Sequence, residues 1–153
     1  MAENGQPQIG VLTQYTKDFS FENPKAPESL MPREGGPDIS LNINVGHRAF
    51  SENDHEVTLL VDAKAKIDGD IMFSAELEYA GLFRIENVPP EQMFPILMIE
   101  CPRLLFPFAR QIIADATRAG GFPPLMIDPI DFVSLYQQHI ARLQEQMQQA
   151  GHA

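Results

Sequence analysis

The side chains with the most reactive chemistry in this sequence are one cysteine and four histidines. A thiol and an imidazole brought together by a fold could act as nucleophile and base. Cys101, however, stands in an apolar stretch directly before Pro102, with no evident base or cation placed to lower its pKa. We therefore expect a small buried side chain at Cys101. A small enzyme that pairs Cys101 with a histidine stays open as an alternative.

The four histidines show no spacing typical of metal ligands; they are His47, His55, His139 and His152. The chain also has no phosphate-binding loop, no HExxH motif and no GxSxG motif. A single cysteine permits neither an internal disulfide nor a multi-cysteine zinc site. We therefore expect no catalytic residue, no metal and no cofactor.

Composition narrows the possible partners. The 153 residues carry 11 Lys and Arg against 21 Asp and Glu, a formal net charge of −10. Such an excess of acid argues against nucleic-acid binding and against docking on an anionic membrane, and it suits a basic protein partner. We find no signal peptide and no apolar run that could span a bilayer, and expect a cytoplasmic protein. Its length predicts a single domain over 1–153, flexible at 1–8 and 144–153.

Alternating polar and apolar residues predict four β-strands, over 9–22, 39–45, 55–67 and 71–79. Asp68-Gly69 predicts a tight hairpin between the last two strands, and Gly81 a weak point or bulge. Residues 23–38 carry four prolines and predict a long loop, a length that is often functional. In the first strand, one parity is apolar: Ile9, Val11, Tyr15, Phe19 and Phe21.

Helical spacing follows the strands. Residues 91–119 predict a helix interrupted by prolines and regular from about 103 to 119, with an apolar stripe of Leu105, Phe108, Ile112 and Ala116. Asp115 and Arg118 on it predict an exposed ion pair. Asp128 and Pro129 predict the cap and first residue of a last helix. Strands followed by helices indicate an α+β fold, a four-stranded antiparallel sheet with helices packed on one face.

The polar parity of these strands is mostly acidic. It contains Asp18, Glu22, Glu56, Asp62, Glu76 and Glu78, against Lys64 and Lys66. The outer face of the sheet is either an ordinary solvated surface or a docking surface for a basic partner. Apolar residues also exceed what one sheet and about two helices can bury. The excess predicts a subunit interface or an exposed groove.

Three separated segments resemble the SecB family of bacterial protein-export chaperones: YTKDFSFENPKAP at 15–27, CPRLLFPFAR at 101–110 and GGFPPLMIDPIDF at 120–132. The similarity covers roughly 9–143. It implies a homotetramer, a dimer of dimers without enzymatic activity, that holds unfolded secretory preproteins and passes them to SecA. In the family, a basic tail of SecA docks on the acidic sheet face.

The resemblance implies SecA contacts at Asp18, Glu22 and Glu76. Ser74 is a further predicted contact, at a position where the family has leucine. The resemblance therefore implies the charged part of the SecA contact but not its apolar part. For the client we predict a groove between the last helix and the long loop, lined by Leu30, Met31, Phe122, Leu125, Tyr136 and Leu143. For the oligomer interface we predict Ala75, Leu77, Tyr79, Leu105, Phe108 and Ile112. A binding module for one specific folded basic partner remains the alternative function.

Overall fold

The computed structural model describes residues 5–151. Four strands come first: β1 Gln8–Glu22, β2 Asp38–Ala49, β3 Asp54–Ile67 and β4 Asp70–Glu86. The helical half follows: α1 Pro90–Pro95, a π-helical turn Ile96–Glu100, α2 Cys101–Ala119 and α3 Phe132–Gly151. The strands form one antiparallel sheet, and α2 packs on β3 and β4. The predicted α+β fold with helices on one face is confirmed, while the dimer of dimers stays a prediction.

The strand order places β1 and β2 at opposite edges, because the sheet runs β1-β4-β3-β2. Neighbouring strands lie about 4.8 Å apart, so the connection from β1 to β2 must cross roughly 14 Å of sheet. This crossing explains the long loop over 23–37, which contains a 3-10 turn at Glu28–Leu30. At the other end of the sheet, Asp68 and Gly69 both have positive φ and form the predicted hairpin between β3 and β4.

Two bulges in β1 change which side chains face the helices. The register of β1 against β4 shifts between Val11 and Thr13 and again between Thr16 and Asp18. Each shift reverses the alternation of the strand. Tyr15 therefore pairs with Ala80 on the outer face, and its prediction as an apolar-face residue is wrong. The second bulge restores the phase, so Phe19 and Phe21 face the helices as predicted.

The buried stripe of α2 begins at Leu105 as predicted, but each of its later residues lies one position after the predicted one. Leu105, Ala109, Ile113 and Thr117 are fully buried, whereas Phe108 is 50 % exposed. Leu105 approaches β4 at Gly81, where a Cβ atom would lie 2.9 Å from its Cδ2 atom. The strand continues through this glycine to Glu86 without a break. Gly81 is therefore a point of close helix–sheet contact, and its prediction as a weak point of the strand is wrong.

The start of α3 also differs from the prediction. The carboxylate of Asp131 accepts hydrogen bonds from the backbone N–H and the hydroxyl of Ser134, at 3.1 and 2.8 Å. This geometry makes Asp131 the N-cap and corrects the prediction of Asp128. The helix runs to Gly151, and all its side chains from Ala141 onward are exposed. Of the ends predicted to be flexible, 1–8 and 144–153, residues 1–4 and 152–153 lie outside the described residues, His152 among them.

Candidate binding surfaces

One part of the outer sheet face is organised around the carboxylate of Glu56, which is paired with cations. This carboxylate accepts a 2.6 Å hydrogen bond from the hydroxyl of Tyr15, a 2.9 Å bond from Arg48 Nε and a 3.2 Å bond from Lys17 Nζ. Its side chain is only 6 % exposed. We call Tyr15, Lys17, Arg48 and Glu56 the Glu56 network. Glu56 was counted among the acidic residues of this face, but its charge is already compensated.

The Glu56 network shifts the ionisation of its members. Burial alone raises the pKa of Glu56, but the hydrogen bonds from Tyr15, Arg48 and Lys17 outweigh it and leave that pKa below its usual value. Burial and the neighbouring carboxylate raise the pKa of Tyr15 to about 12. Next to it, Arg84 forms a two-point ion pair with Asp54, its cross-strand partner, at 2.9 and 3.2 Å. The carboxylates of Glu56 and Asp54 are therefore already paired with cations of the same chain.

The other part of the outer face is a shallow acidic groove of about 530 Å³. We define the acidic groove by its four carboxylates, which are Asp18, Asp62, Glu76 and Glu78; Arg142 of α3 is the cation that lines it. Asp18 is the direct cross-strand partner of Glu78, and Asp62 that of Glu76. Like charges directly opposite each other destabilise a sheet. The Oδ1 atom of Asp62 is buried and accepts no hydrogen bond from the described residues.

The residues predicted to contact SecA are brought onto one surface. Asp18 and Glu76 line the acidic groove. Glu22 is the cross-strand partner of Ser74, and Lys64 flanks Ser74 from the opposite side. Since cross-strand partners share a face, all four predicted residues lie on the outer face of the sheet. Asp62 belongs to this surface as well, and its even-numbered parity in the third strand already placed it there.

The predicted client residues fall into two groups. In the first, Leu30 lies over Gly121, and the ring of the following Phe122 packs 5.0 Å from the ring of Phe73. Leu125 packs into the same apolar cluster as Phe73. Met31 follows Leu30 and is exposed. We call Leu30, Met31, Phe122 and Leu125 the Leu30 surface.

The second group lies on α3, where the ring of Tyr136 packs 5.7 Å from the ring of Phe94 and Leu143 is exposed. Phe94 also contacts His47 of β2 and His139 of α3, at ring distances of 5.3 and 5.8 Å. Burial, with His55 and His139 nearby, lowers the pKa of His47. This histidine cluster was not predicted, because its members are distant in sequence and meet only through the fold.

Four of the predicted interface residues are core residues of the single subunit. Ala75, Leu77, Tyr79 and Leu105 expose 8 % of their surface or less, so they offer almost no area to another subunit. Phe108 differs: it is exposed on α2 and stacks with Tyr79 at 6.4 Å. Ile112 is half-buried one turn further along. A subunit interface stays a prediction, and of the six predicted residues these last two have area to offer it.

The single cysteine lies in the core of the subunit, as predicted. Cys101 is fully buried, and burial, with a contribution from Glu100, raises the pKa of its thiol to about 12. The predicted ion pair between Asp115 and Arg118 is present and exposed, with a 3.2 Å N–O distance. Within residues 5–151, no three His, Cys, Asp or Glu side chains are grouped closely enough to hold a metal. No helix in that range is both long and apolar enough to cross a bilayer.

Sequence comparison decides the family. Residues 2–143 match the family model described as preprotein translocase subunit SecB. The chain belongs to the SecB family. The protein-export protein SecB of Nitrobacter winogradskyi is 62 % identical over 143 residues, which cover 94 % of this chain and 90 % of that protein. The protein of the same name from Rhodopseudomonas palustris strain TIE-1 is 58 % identical over 146 residues, covering 95 % and 93 %.

A solved SecB-like structure shares the fold at low sequence identity. It is a SecB-like chaperone of Mycobacterium tuberculosis in complex with a peptide from an antitoxin. The two chains align with a TM-score of 0.66 at 15 % identity, over 80 % of this chain and 91 % of the other. The resemblance inferred from the three sequence segments is confirmed, and this chain is a SecB-family protein-export chaperone.

Proposed function

We propose that this SecB-family chain is a cytoplasmic holdase. It binds unfolded precursor polypeptides on apolar surface and docks through its acidic groove on a basic region of SecA. The activity requires no catalytic step. The pairing of Asp18 with Glu78 and of Asp62 with Glu76 carries the docking part of this proposal. Such pairs weaken the sheet, and a cationic partner would remove that repulsion.

The Leu30 surface and the apolar side of α3 are the proposed client sites. An unfolded chain exposes apolar side chains that a folded protein buries, and apolar surface captures them with little demand on sequence. Methionine and aromatic side chains suit such a site, because they are polarisable and adapt to varied partners. Leu30 and Met31 are exposed, and Phe122, Leu125 and Tyr136 are half-buried. These side chains can therefore contact a client without unfolding the core.

We propose further that the chain assembles as a homotetramer. Exposed apolar side chains occur on α2 and on the helix-facing side of β1: Leu104, Phe108, Ile9 and Val11. Apolar groups exposed together favour burial against a second copy. Several weak client sites on one assembly would then hold a long polypeptide by avidity.

Native mass spectrometry tests this function. The purified protein is measured alone and with a secretory precursor, presented either unfolded or folded. We expect a tetramer that retains only the unfolded precursor. Retention of one folded basic protein without preference for unfolded chains would instead support the alternative of a specific binding module. A monomer that ignores the unfolded precursor would contradict both the holdase and the assembly.

A further inference from the structure

The end of β1 is tied to the end of α2 by Asn23. The Nδ2 atom of this half-buried side chain donates a 2.9 Å hydrogen bond to the carbonyl oxygen of Gly120. Its Oδ1 atom accepts a 3.3 Å hydrogen bond from the hydroxyl of Ser29, which is buried. Asn23 thus uses both ends of its amide to join two segments that are far apart in sequence.

The segment that follows Asn23 carries Leu30 and Met31. Backbone hydrogen bonds from Ser29 to Lys25 and from Leu30 to Pro27, both at 2.9 Å, fold it into a compact turn. A compact turn moves as a unit, so the bond between Ser29 and Asn23 helps to fix the position of Leu30.

Leu30 meets the connection from α2 to α3 at a position that requires glycine. Gly121 has a φ of +97°, and a Cβ atom there would lie 2.8 Å from Leu30 Cδ1. A Cβ atom on Gly120 would lie 2.7 Å from the ring of Phe21. The two glycines therefore allow β1 and the turn to approach the end of α2 closely, and Asn23 bonds at the same place.

The opposite wall of this contact is fixed independently of Asn23. The backbone N–H of Leu125 donates to the hydroxyl of Thr117 at 2.9 Å, and that of Phe122 donates to the Thr117 carbonyl at 3.1 Å. Thr117 is fully buried in α2. Phe122 and Leu125 are thus anchored to α2 through Thr117, by bonds that do not involve Asn23.

We infer that Asn23 is a positioning residue for client binding: it holds Leu30 and Met31 against the wall formed by Phe122 and Leu125. The inference rests on the proposed function and goes beyond it, because Asn23 itself presents no apolar surface to a client. A preformed surface binds an extended apolar segment without the entropic cost of ordering the turn on binding. Loss of the Asn23 bonds would weaken client binding through that ordering, while the outer face of the sheet would be unaffected.

The test compares two affinities in the full-length protein. One probe is a precursor polypeptide kept unfolded by reduction and alkylation of its cysteines, and the other is a synthetic peptide rich in Lys and Arg. Asn23→Ala removes both side-chain bonds, and Asn23→Asp keeps the acceptor for Ser29 but cannot donate to Gly120. We expect each to weaken client binding about three- to tenfold. Binding of the basic peptide should stay within about twofold of the parent value.

Two further variants keep the test decisive. Ser29→Ala removes only the bond to Oδ1 and should weaken client binding by a smaller factor, even if Asn23→Ala fails to fold. Gln111→Ala removes another side-chain amide, from the exposed side of α2, and should change neither affinity. Native-like Asn23 variants with parental client affinity would overturn the inference. So would an equal loss of both affinities. A parent protein that ignores the unfolded precursor would instead reject the proposed function.

Discussion

Asp62 of β3 and Glu76 of β4 face each other directly across the sheet, on the side that the helices leave uncovered. Asp18 and Glu78 make the same kind of pair between β1 and β4. Towards the other end of the same face, the carboxylate of Glu56 is bonded by a lysine, an arginine and a tyrosine. One sheet face thus contains carboxylates that are paired with cations and carboxylates that face another carboxylate. The latter can gain from a cationic partner.

Replacement of Asp62 by asparagine should stabilise the fold and weaken the binding of a basic peptide. It removes one like-charge cross-strand repulsion, of about 0.2–1 kcal/mol, while keeping the shape of the side chain. Denaturant titration measures the free energy of unfolding, and calorimetry measures the peptide affinity. Asp70→Asn at the exposed start of β4 is the matched control and should change neither. A loss of stability in Asp62→Asn would show that this carboxylate has a structural role.

Charge reversal at Glu22 or Glu76 should weaken docking of SecA and leave client holding intact. The variants Glu22→Lys and Glu76→Lys each place a cation on the surface that is proposed to bind a cationic partner. Surface plasmon resonance with immobilised SecA measures the first activity, and protection of an unfolded precursor from aggregation measures the second. Glu52→Lys, in the turn between β2 and β3, is the control. Simultaneous loss of both activities would contradict the separation of the two surfaces.

The same docking should weaken as salt concentration rises, because exposed charges are screened over about 8 Å at physiological ionic strength. The dissociation constant for SecA, or for a basic peptide, is measured over a series of sodium chloride concentrations. Client binding, which is proposed to be apolar, should change much less. A flat salt profile for docking would contradict an electrostatic interface.

The Glu56 network should contribute to stability at neutral pH and less in acid. The pKa of Glu56 is lowered in the folded state, so its contribution is fully present above the unfolded value of 4.5 and is lost as the pH falls through the folded value. Glu56→Gln should cost about 1.5–3 kcal/mol at pH 7, as expected for hydrogen bonds to a charged group. Denaturant titrations at pH 7 and below 4 test this. A difference between parent and variant that does not shrink in acid would contradict it.

Attachment of α3 should loosen in mild acid. The pKa of His47 is lowered, so its neutral form is favoured in the fold and a penalty grows as the pH falls below the unfolded value of 6.5. Burial is the main cause of this lowered pKa, and His55 of β3 and His139 of α3 contribute to it electrostatically. Hydrogen exchange should become faster in α3 at pH 5.5 than at pH 7.5 after correction for intrinsic rates. His47→Phe should remove part of this difference by keeping the ring packing without the charge.

Cys101→Ala should retain client holding and docking and lose about 1 kcal/mol of stability, because a small buried side chain is truncated. The raised thiol pKa also predicts that the native protein resists alkylation at neutral pH. Mass spectrometry before and after unfolding measures the labelling. Loss of a catalytic activity in a folded Cys101→Ala variant would instead favour the alternative of an enzyme that uses this thiol.

Sequence periodicity predicted the sheet and its acidic face, because alternation depends on local geometry. It failed at Tyr15, since a bulge leaves no mark in the pattern of residue types. It also assigned Phe108 to the buried stripe of α2, although Ala109 is buried instead. Both Phe108 and Ala109 are apolar and lie about one turn after Leu105, so helical spacing alone does not decide which one faces the sheet. The helix cap was misplaced because Asp128 and Asp131 are both suitable N-cap residues.

Contacts between residues far apart in the chain could not be predicted from the sequence. Strand order cannot be derived from alternation, so the edge positions of β1 and β2 were not predicted. The bond between Asn23 and Gly120 joins residues that no local motif connects. The histidine cluster around Phe94 has the same origin. The sequence therefore predicted which residue types lie on each surface. It did not predict which of these side chains contact each other.

The placement of β1 beside β4 has a consequence for the timing of folding. β2, β3 and β4 pair through consecutive hairpins, and such local pairings form early. β1 is synthesised first, yet its partner strand is made last, and closing so long a loop is slow. The acidic groove lacks Asp18 until β1 docks. Until β1 docks, the proposed docking groove therefore lacks the pair of Asp18 and Glu78, and only the pair of Asp62 and Glu76 is in place.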